Sequence, residues 1–403
     1  MSANRPLAAS PASSGIPTRT GLLSKLGIGD EKYPALTGVR ALGATVVFFQ
    51  HFPLREDSHI TLNVMGFFFA LSGFLIVRIY YQQAELTRKW LAGYFVNRFA
   101  RIYPVYFLLL TVAVLAQHES RPWVLAANYT LTHALFHKMH LVIEPSWSLT
   151  VEECFYFLAP VFMLLVRIRN FFASFLFGCL LLLAALLVST LGIDFLGTPA
   201  FVLTETFFGN FVEFFAGAYV ALAVMNLEKK GSVRAAGSKY TLAGLAGTVV
   251  LGGAMIGVYR HVPLDTRAVA ELVLINNFLL PLPIAVLYWG LIREDTMLSR
   301  FLSSKVCGLL ARGSYSFYLL HTLIIHYISL PLLTSTNGYR PLYVGVTFVV
   351  TWLIAILLFL FYEEPVNILI RKSFRSKIRW TDGASPETRH ASRASAASRT
   401  GET

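Results

Sequence analysis

Apolar residues dominate ten stretches of the chain, at about 35–52, 62–80, 102–117, 141–166, 171–190, 206–226, 241–259, 268–292, 306–330 and 341–362. Most run for roughly 18 to 25 residues with few charges, the length a helix needs to cross the hydrocarbon core of a bilayer. Polar residues collect in the short segments between them. The pattern predicts an all-α polytopic membrane protein of about ten transmembrane helices, with no soluble domain and no internal repeat. Pro281 and Pro283 fall inside the eighth stretch, where their missing N–H groups predict a kink or break. Three segments follow: a polar N-terminal segment, 1–32; a membrane domain, 33–367; and a basic tail, 368–403. The tail is rich in Ser, Ala, Thr and Arg and is expected to be disordered beside the membrane. Met1–Lys32 contains no apolar h-region, so the first span is expected to direct insertion.

Charge adds sidedness. Only 14% of residues are charged, well under the roughly 25% of soluble domains, and the formal net charge is +12. The 34 Lys and Arg concentrate in the N-terminal segment, the 78–101 loop, 167–169, 228–239, 293–312 and the tail. The opposite side of the layout keeps only Arg55, Arg121, Lys138, Arg260, Arg267 and Arg340. The positive-inside rule then places both termini in the cytoplasm, and an even number of spans is what preserves the alternation. A multi-pass protein of the cell membrane is expected, with the lipid bilayer and no nucleic acid as partner. Cys154, Cys179 and Cys307 all lie in apolar segments, an odd set that implies no disulfide framework.

Candidate chemistry sits at polar residues that interrupt the apolar runs. Leu36–His51 (LTGVRALGATVVFFQH) carries Arg40 near its start and His51 at its end. As a helix, this spacing puts both on roughly one face, about 16 Å apart. Either Arg40 snorkels to a headgroup and His51 marks the water boundary, or the two form a functional pair. Arg98 and Arg101 in NRFARIYP share a helix face at the mouth of the third span. They can anchor the helix or grip a phosphate-bearing ligand. In PSWSLTVEECFYF, Ser148 and Glu152 are four apart, and a carboxylate inside a bilayer demands a partner or a wet cavity. Ser72-Gly73 reads as a close helix contact. Glu213 and His321 are further intramembrane ionisable groups. Arranged by depth, Arg40, Arg98 and Arg101 lie toward the cytoplasm, and His51, Ser148 and Glu152 toward the outer side. A ligand with a phosphorylated head and a reactive far end suits that arrangement, and acyl-CoA is one. A histidine oriented by a carboxylate can take the proton from a hydroxyl attacking its thioester. His133, His137 and His140 have metal-like spacing, but a single such box on the outer side reads as a polar loop. No metal is expected.

Together these stretches resemble the membrane acyltransferase family 3, whose members O-acylate glycans, lipids and some antibiotics. The resemblance is carried by Tyr33–Phe52, GFFFALSGFLI from Gly66, Asn97–Phe107, Pro145–Pro160, Glu213–Ala223, Ala311–Ile324 and Tyr362–Asn367, in that order. Arg40 and His51 match the family's Arg-x10-His pair, and Arg98 and Arg101 its Arg-x-x-Arg motif. Ser148 and Glu152 match Ser-x3-Glu; Glu363 and Pro365 match Glu-x-Pro. The resemblance implies acyl-CoA as donor and His51 as base. The chain departs from the family at Thr37, where an acidic residue is common, and at Gly66, where a polar residue is. Some relatives carry an added extracytoplasmic hydrolase-like domain; here transfer is expected to finish in the membrane domain or pass to a partner.

The expectation is an O-acyltransferase moving an acyl group, acetyl foremost, from acyl-CoA to a surface or secreted glycan, free or lipid-linked. His51 serves as base, Glu152 with Ser148 orients it, and Arg40, Arg98 and Arg101 hold the donor. The alternatives are a lipid or small-molecule acceptor such as a macrolide, and a polytopic transporter or flippase. A non-catalytic scaffold for glycan assembly is a further one.

Overall fold

The structure is a computed structural model that describes residues 32–52, 64–192, 194–231, 233–261, 266–336 and 340–383. The expectations for 1–31 and for 384–403 therefore lie outside the described residues. Among the described residues, nine helical stretches are long and apolar enough to cross a membrane. They coincide with the second to the tenth predicted segments. The first is α1, Pro34–His51, of 18 residues. Arg40, Gln50 and His51 lower its hydropathy and keep it out of that set. The protein is an all-α polytopic membrane protein.

The other long helices before the tail are α2 (Met65–Tyr80), α3 (Arg88–Gln117), α4 (Trp147–Ile168), α5 (Phe171–Ser189), α6 (Phe207–Lys229), α7 (Lys239–His261), α8 (Pro281–Arg293), α9 (Lys305–Ile324) and α10 (Arg340–Leu358). α1 lies against α9, and α2 against α6. α3 starts well before the predicted 102. The Thr87 hydroxyl caps it by accepting from the Trp90 N–H at 3.2 Å, so the whole basic stretch from Arg88 is helical.

The predicted break in the eighth stretch is present. Leu274–Leu279 is a π-helical turn, and the Leu280 N–H reaches back five residues to the Ile275 carbonyl at 2.8 Å. Pro281 then opens α8 where its missing N–H is not needed. The tail departs from expectation. Helix α11, Glu364–Gly383, continues sixteen residues past Asn367 and packs on α3. Asn367, Ile370 and Phe374 fall at three- and four-residue spacing and form its packed face, which the basic composition concealed.

Helix ends define two ends of the bundle. Lys32 and Arg78 pair with Glu228 at 2.7 and 3.0 Å, so the start of α1 and the ends of α2 and α6 meet at one end. His51 lies at the other.

α2 and α6 cross in close contact because two glycines face each other's backbone. A Cβ on Gly73 would overlap the Phe214 carbonyl, and one on Gly217 the Ala70 carbonyl. This is the small-residue packing expected for Ser72-Gly73. Gly217→Val is expected to abolish the monodisperse, detergent-soluble protein. Gly345→Ala, where nothing lies within 4 Å, is expected to purify like wild type. Size-exclusion chromatography checks both.

Candidate active site

Two histidines meet at the far end of α1. The His51 Nδ1 lies 2.9 Å from the Val47 carbonyl, one turn back in its own helix. A carbonyl only accepts, so Nδ1 carries the proton. His321 on α9 is fully buried, and its Nδ1 donates to the Tyr318 carbonyl at 2.6 Å. Its Nε2 is then an acceptor, 3.4 Å from His51 Nδ1, with the rings edge to face at 4.9 Å. Both rings are placed with Nδ1–H as the donor, assigned from this network. With the proton on Nδ1, His51 Nε2 is the ring atom able to accept one.

Closer to the bundle centre lies a cavity of about 100 Å³. Glu152 on α4 is its carboxylate, and its Oε1 accepts from the hydroxyls of Ser72 and Tyr156. Tyr156 follows Glu152 by one turn on the same face. At the His51 end the wall contains Ser148 and Tyr318, whose hydroxyls are 2.8 Å apart and lie 3.0 and 2.9 Å from the Pro145 carbonyl. Tyr318 has two faces: its side chain lines the chamber, while its carbonyl holds His321. Phe68 stands beside it, ring centroids 6.2 Å apart.

A larger cavity, about 610 Å³, opens at the other end of the bundle. Lys32, Arg40, Arg78, Arg101 and Arg312 line it, against one carboxylate, Glu364. Arg40, Leu71, Leu75 and Arg101 line both cavities and form the neck between a basic vestibule and the inner chamber. Thr37 also lines the vestibule, so the departure from an acidic residue there leaves its wall more positive.

The predicted residues are thus brought into one region with a different division among them. Arg40, Arg98, Arg101, Ser148 and Glu152 all border the chamber, and His51 stands beyond Tyr318. Glu152 touches Ser72 and Tyr156; the partner that orients His51 is His321, not Glu152. The expected Arg98–Arg101 clamp is divided. Arg101 donates to Glu363 at 2.6 Å, whereas Arg98 lies over the Tyr80 and Tyr156 rings at 5.6 and 5.4 Å. Glu213 is buried beside Gly66, away from the chamber wall. Tyr156 and Tyr318 were not singled out by sequence, although Tyr156 stands four residues after Glu152 and Tyr318 three before His321.

The three loop histidines do not converge. His133 is buried, 3.1 Å from the Ser146 hydroxyl, and burial pushes its pKa down to about 4. His137 packs on Phe201. His140 lies 3.1 Å from Glu119, whose carboxyl the Arg121 guanidinium holds down at about 2.

A family model described as an acyltransferase domain matches residues 33–359. Acyltransferase MdmB of Streptomyces mycarofaciens is 26% identical over 338 residues, 73% of this chain and 80% of that protein. Peptidoglycan O-acetyltransferase OatA of Listeria monocytogenes is 27% identical over 152 residues, 32% of this chain and 24% of that protein. No solved structure matches the chain.

Proposed function

The chain belongs to the acyltransferase 3 family, and from that membership we propose that it transfers an acyl group, acetyl foremost, from acyl-CoA to a hydroxyl of a surface or secreted glycan. The observation that carries the reading is the basic vestibule joined through Arg40 and Arg101 to a chamber walled at its far end by Ser148 and Tyr318, with the His321–His51 pair behind Tyr318. A polyphosphate head with a slender thioester arm fits such a path. The vestibule end is the cytoplasmic one, where the positive-inside rule puts most of the Lys and Arg. An O-acetyltransferase of peptidoglycan among the relatives supports a glycan acceptor and acetyl as the group moved.

Each residue then has a role. The arginines at the neck neutralise the diphosphate. The arm passes Glu152 and Tyr156 and reaches the His51 end past Phe68 and Tyr318. His51 Nε2 takes the proton from the acceptor hydroxyl as its oxygen bonds to the thioester carbonyl carbon. The Ser148 and Tyr318 hydroxyls, which donate to the Pro145 carbonyl in the resting site, turn a proton from it toward the thioester oxygen as that oxygen gains charge. The C–S bond breaks, the CoA thiolate leaves, and the imidazolium returns the proton to it. Glu152 is a positioning group. It holds Ser72 and Tyr156 on the chamber wall that Arg40 also lines.

Mass spectrometry of total surface glycan tests this in cells lacking the gene and complemented with wild type or His51→Ala. An ester mass is expected to vanish on deletion and return with wild type alone. Unchanged glycan esters would move the acceptor to a lipid or small molecule. Full rescue by His51→Ala would remove the proposed base.

A further inference from the structure

The rim of the vestibule contains an anion site that the chain fills with its own carboxylate. Three donors from two helix ends converge on Glu228 at the end of α6. Lys32 Nζ lies 2.7 Å from Oε1, the Tyr33 hydroxyl donates to Oε1 at 2.5 Å, and Arg78 Nη2 donates to Oε2 at 3.0 Å. Arg78 Nε also donates to the Tyr33 hydroxyl at 3.2 Å, and its guanidinium lies over the Tyr33 ring, 5.9 Å from the centroid. Lys32, Tyr33 and Arg78 line the 610 Å³ vestibule, while Glu228 stands behind them and does not. The donors are assembled at the cavity wall, and the anion they hold lies outside it.

Resting on the acyl-CoA reading, we propose that Lys32, Tyr33 and Arg78 bind the 3′-phosphate of coenzyme A, and that Glu228 is the counter-ion from which that phosphate takes them over. The vestibule has two groups of cations. Arg40 and Arg101 stand at the neck, where the diphosphate enters ahead of the arm. Lys32 and Arg78 stand at the rim, where the ribose end remains. A phosphomonoester has more charge and more acceptor oxygens than the single carboxylate it displaces. Lys32 is 57% exposed and Arg78 22%, so both can turn inward from one partner to the other. Tyr33 ties the exchange to the start of α1, the helix that carries Arg40 and His51.

The site predicts discrimination between donors with and without the 3′-phosphate. Purified protein in nanodiscs would be assayed with acetyl-CoA and with acetyl-3′-dephospho-CoA, for wild type, Arg78→Ala and Glu228→Gln. For Arg78→Ala, KM for acetyl-CoA is expected to rise about tenfold or more, the effect of losing one charged hydrogen-bonding contact, with KM for the dephospho donor within twofold of wild type. Glu228→Gln keeps the shape of the clasp and removes the competing charge. It is expected to lower KM for acetyl-CoA alone. Equal losses with both donors would make the cluster a structural clasp and overturn the proposal. A selectivity of one in wild type, with activity set instead by the anionic lipid content of the discs, would assign the cluster to headgroups and overturn it too. No saturable binding of acetyl-CoA by wild type would refute the donor reading itself, a result distinct from either.

Discussion

His51→Ala is expected to lower kcat for acyl transfer by about 10²–10⁴-fold, the usual contribution of a positioned general base, in protein that still folds. His51 is at the end of α1 and only partly buried, so its removal opens no large core cavity. The one group left short is His321 Nε2, which loses a weak 3.4 Å partner. Neighbouring substitutions separate base from support. His321→Ala leaves the bond from His51 Nδ1 to the Val47 carbonyl, so the tautomer survives and only ring orientation loosens. A loss of about tenfold is expected, smaller than for the proposed base. Glu152→Gln retains an oxygen for Ser72 and Tyr156 but removes a carboxylate from the wall that Arg40 also lines. It is expected to act on donor KM more than on kcat. Single-turnover measurements on monodisperse protein read all three. His51→Ala turning over within tenfold of wild type would dismiss it as base, and a Glu152→Gln defect confined to kcat would place that carboxylate at the reacting atoms.

The span pattern was legible because bilayer thickness dictates the length of each apolar run, and every predicted segment corresponds to a helix. Pro281 announced the break before α8 for the same direct reason: a missing N–H cannot be hidden. The candidate residues were easy to pick out too, since an arginine, a carboxylate or a histidine within an apolar helix is conspicuous. Their partnerships were not. Spacing along one helix shows which residues share a face, but Glu152 takes Ser72 from α2, and His51 takes His321 from 270 positions away. Those choices depend on how helices rotate and cross, which Gly73 and Gly217 help to fix by letting α2 and α6 touch backbone to backbone. Arg78, Lys32 and Glu228 were concealed differently. Each reads as an ordinary charge at a helix end, and only the folded chain shows two helix ends converging on the carboxylate of a third. The extent of α11 was missed because basic composition was read without its three- and four-residue apolar spacing.

Arg101→Leu is expected to destabilise the protein by about 3 kcal/mol, the cost of leaving a buried charge uncompensated, whereas Glu363→Gln costs about 1 kcal/mol, one hydrogen bond's worth. The asymmetry comes from where each partner sits. Glu363 is 2% exposed against 22% for Arg101. Its carboxylate lies in the π-helical turn Phe359–Glu363, just before Pro365, and besides Arg101 it has the Ser316 hydroxyl at 2.7 Å. Without Arg101 that charge is stranded among helices. Without Glu363 the guanidinium still faces the open vestibule. The double variant Arg101→Leu/Glu363→Gln removes both charges and should recover most of the stability lost in Arg101→Leu. Activity follows a different order if Arg101 also holds the donor. KM for acyl-CoA should rise about tenfold in Arg101→Leu and stay high in the double variant. In Glu363→Gln it should fall to or below the wild-type value, because the arginine no longer has a competing counter-ion. Melting temperatures in detergent and donor KM across the four proteins measure the two orders independently. Recovery of stability together with KM in the double variant would reduce Arg101 to a structural partner of Glu363. Stability losses that simply add would show that the two charges are not coupled at all.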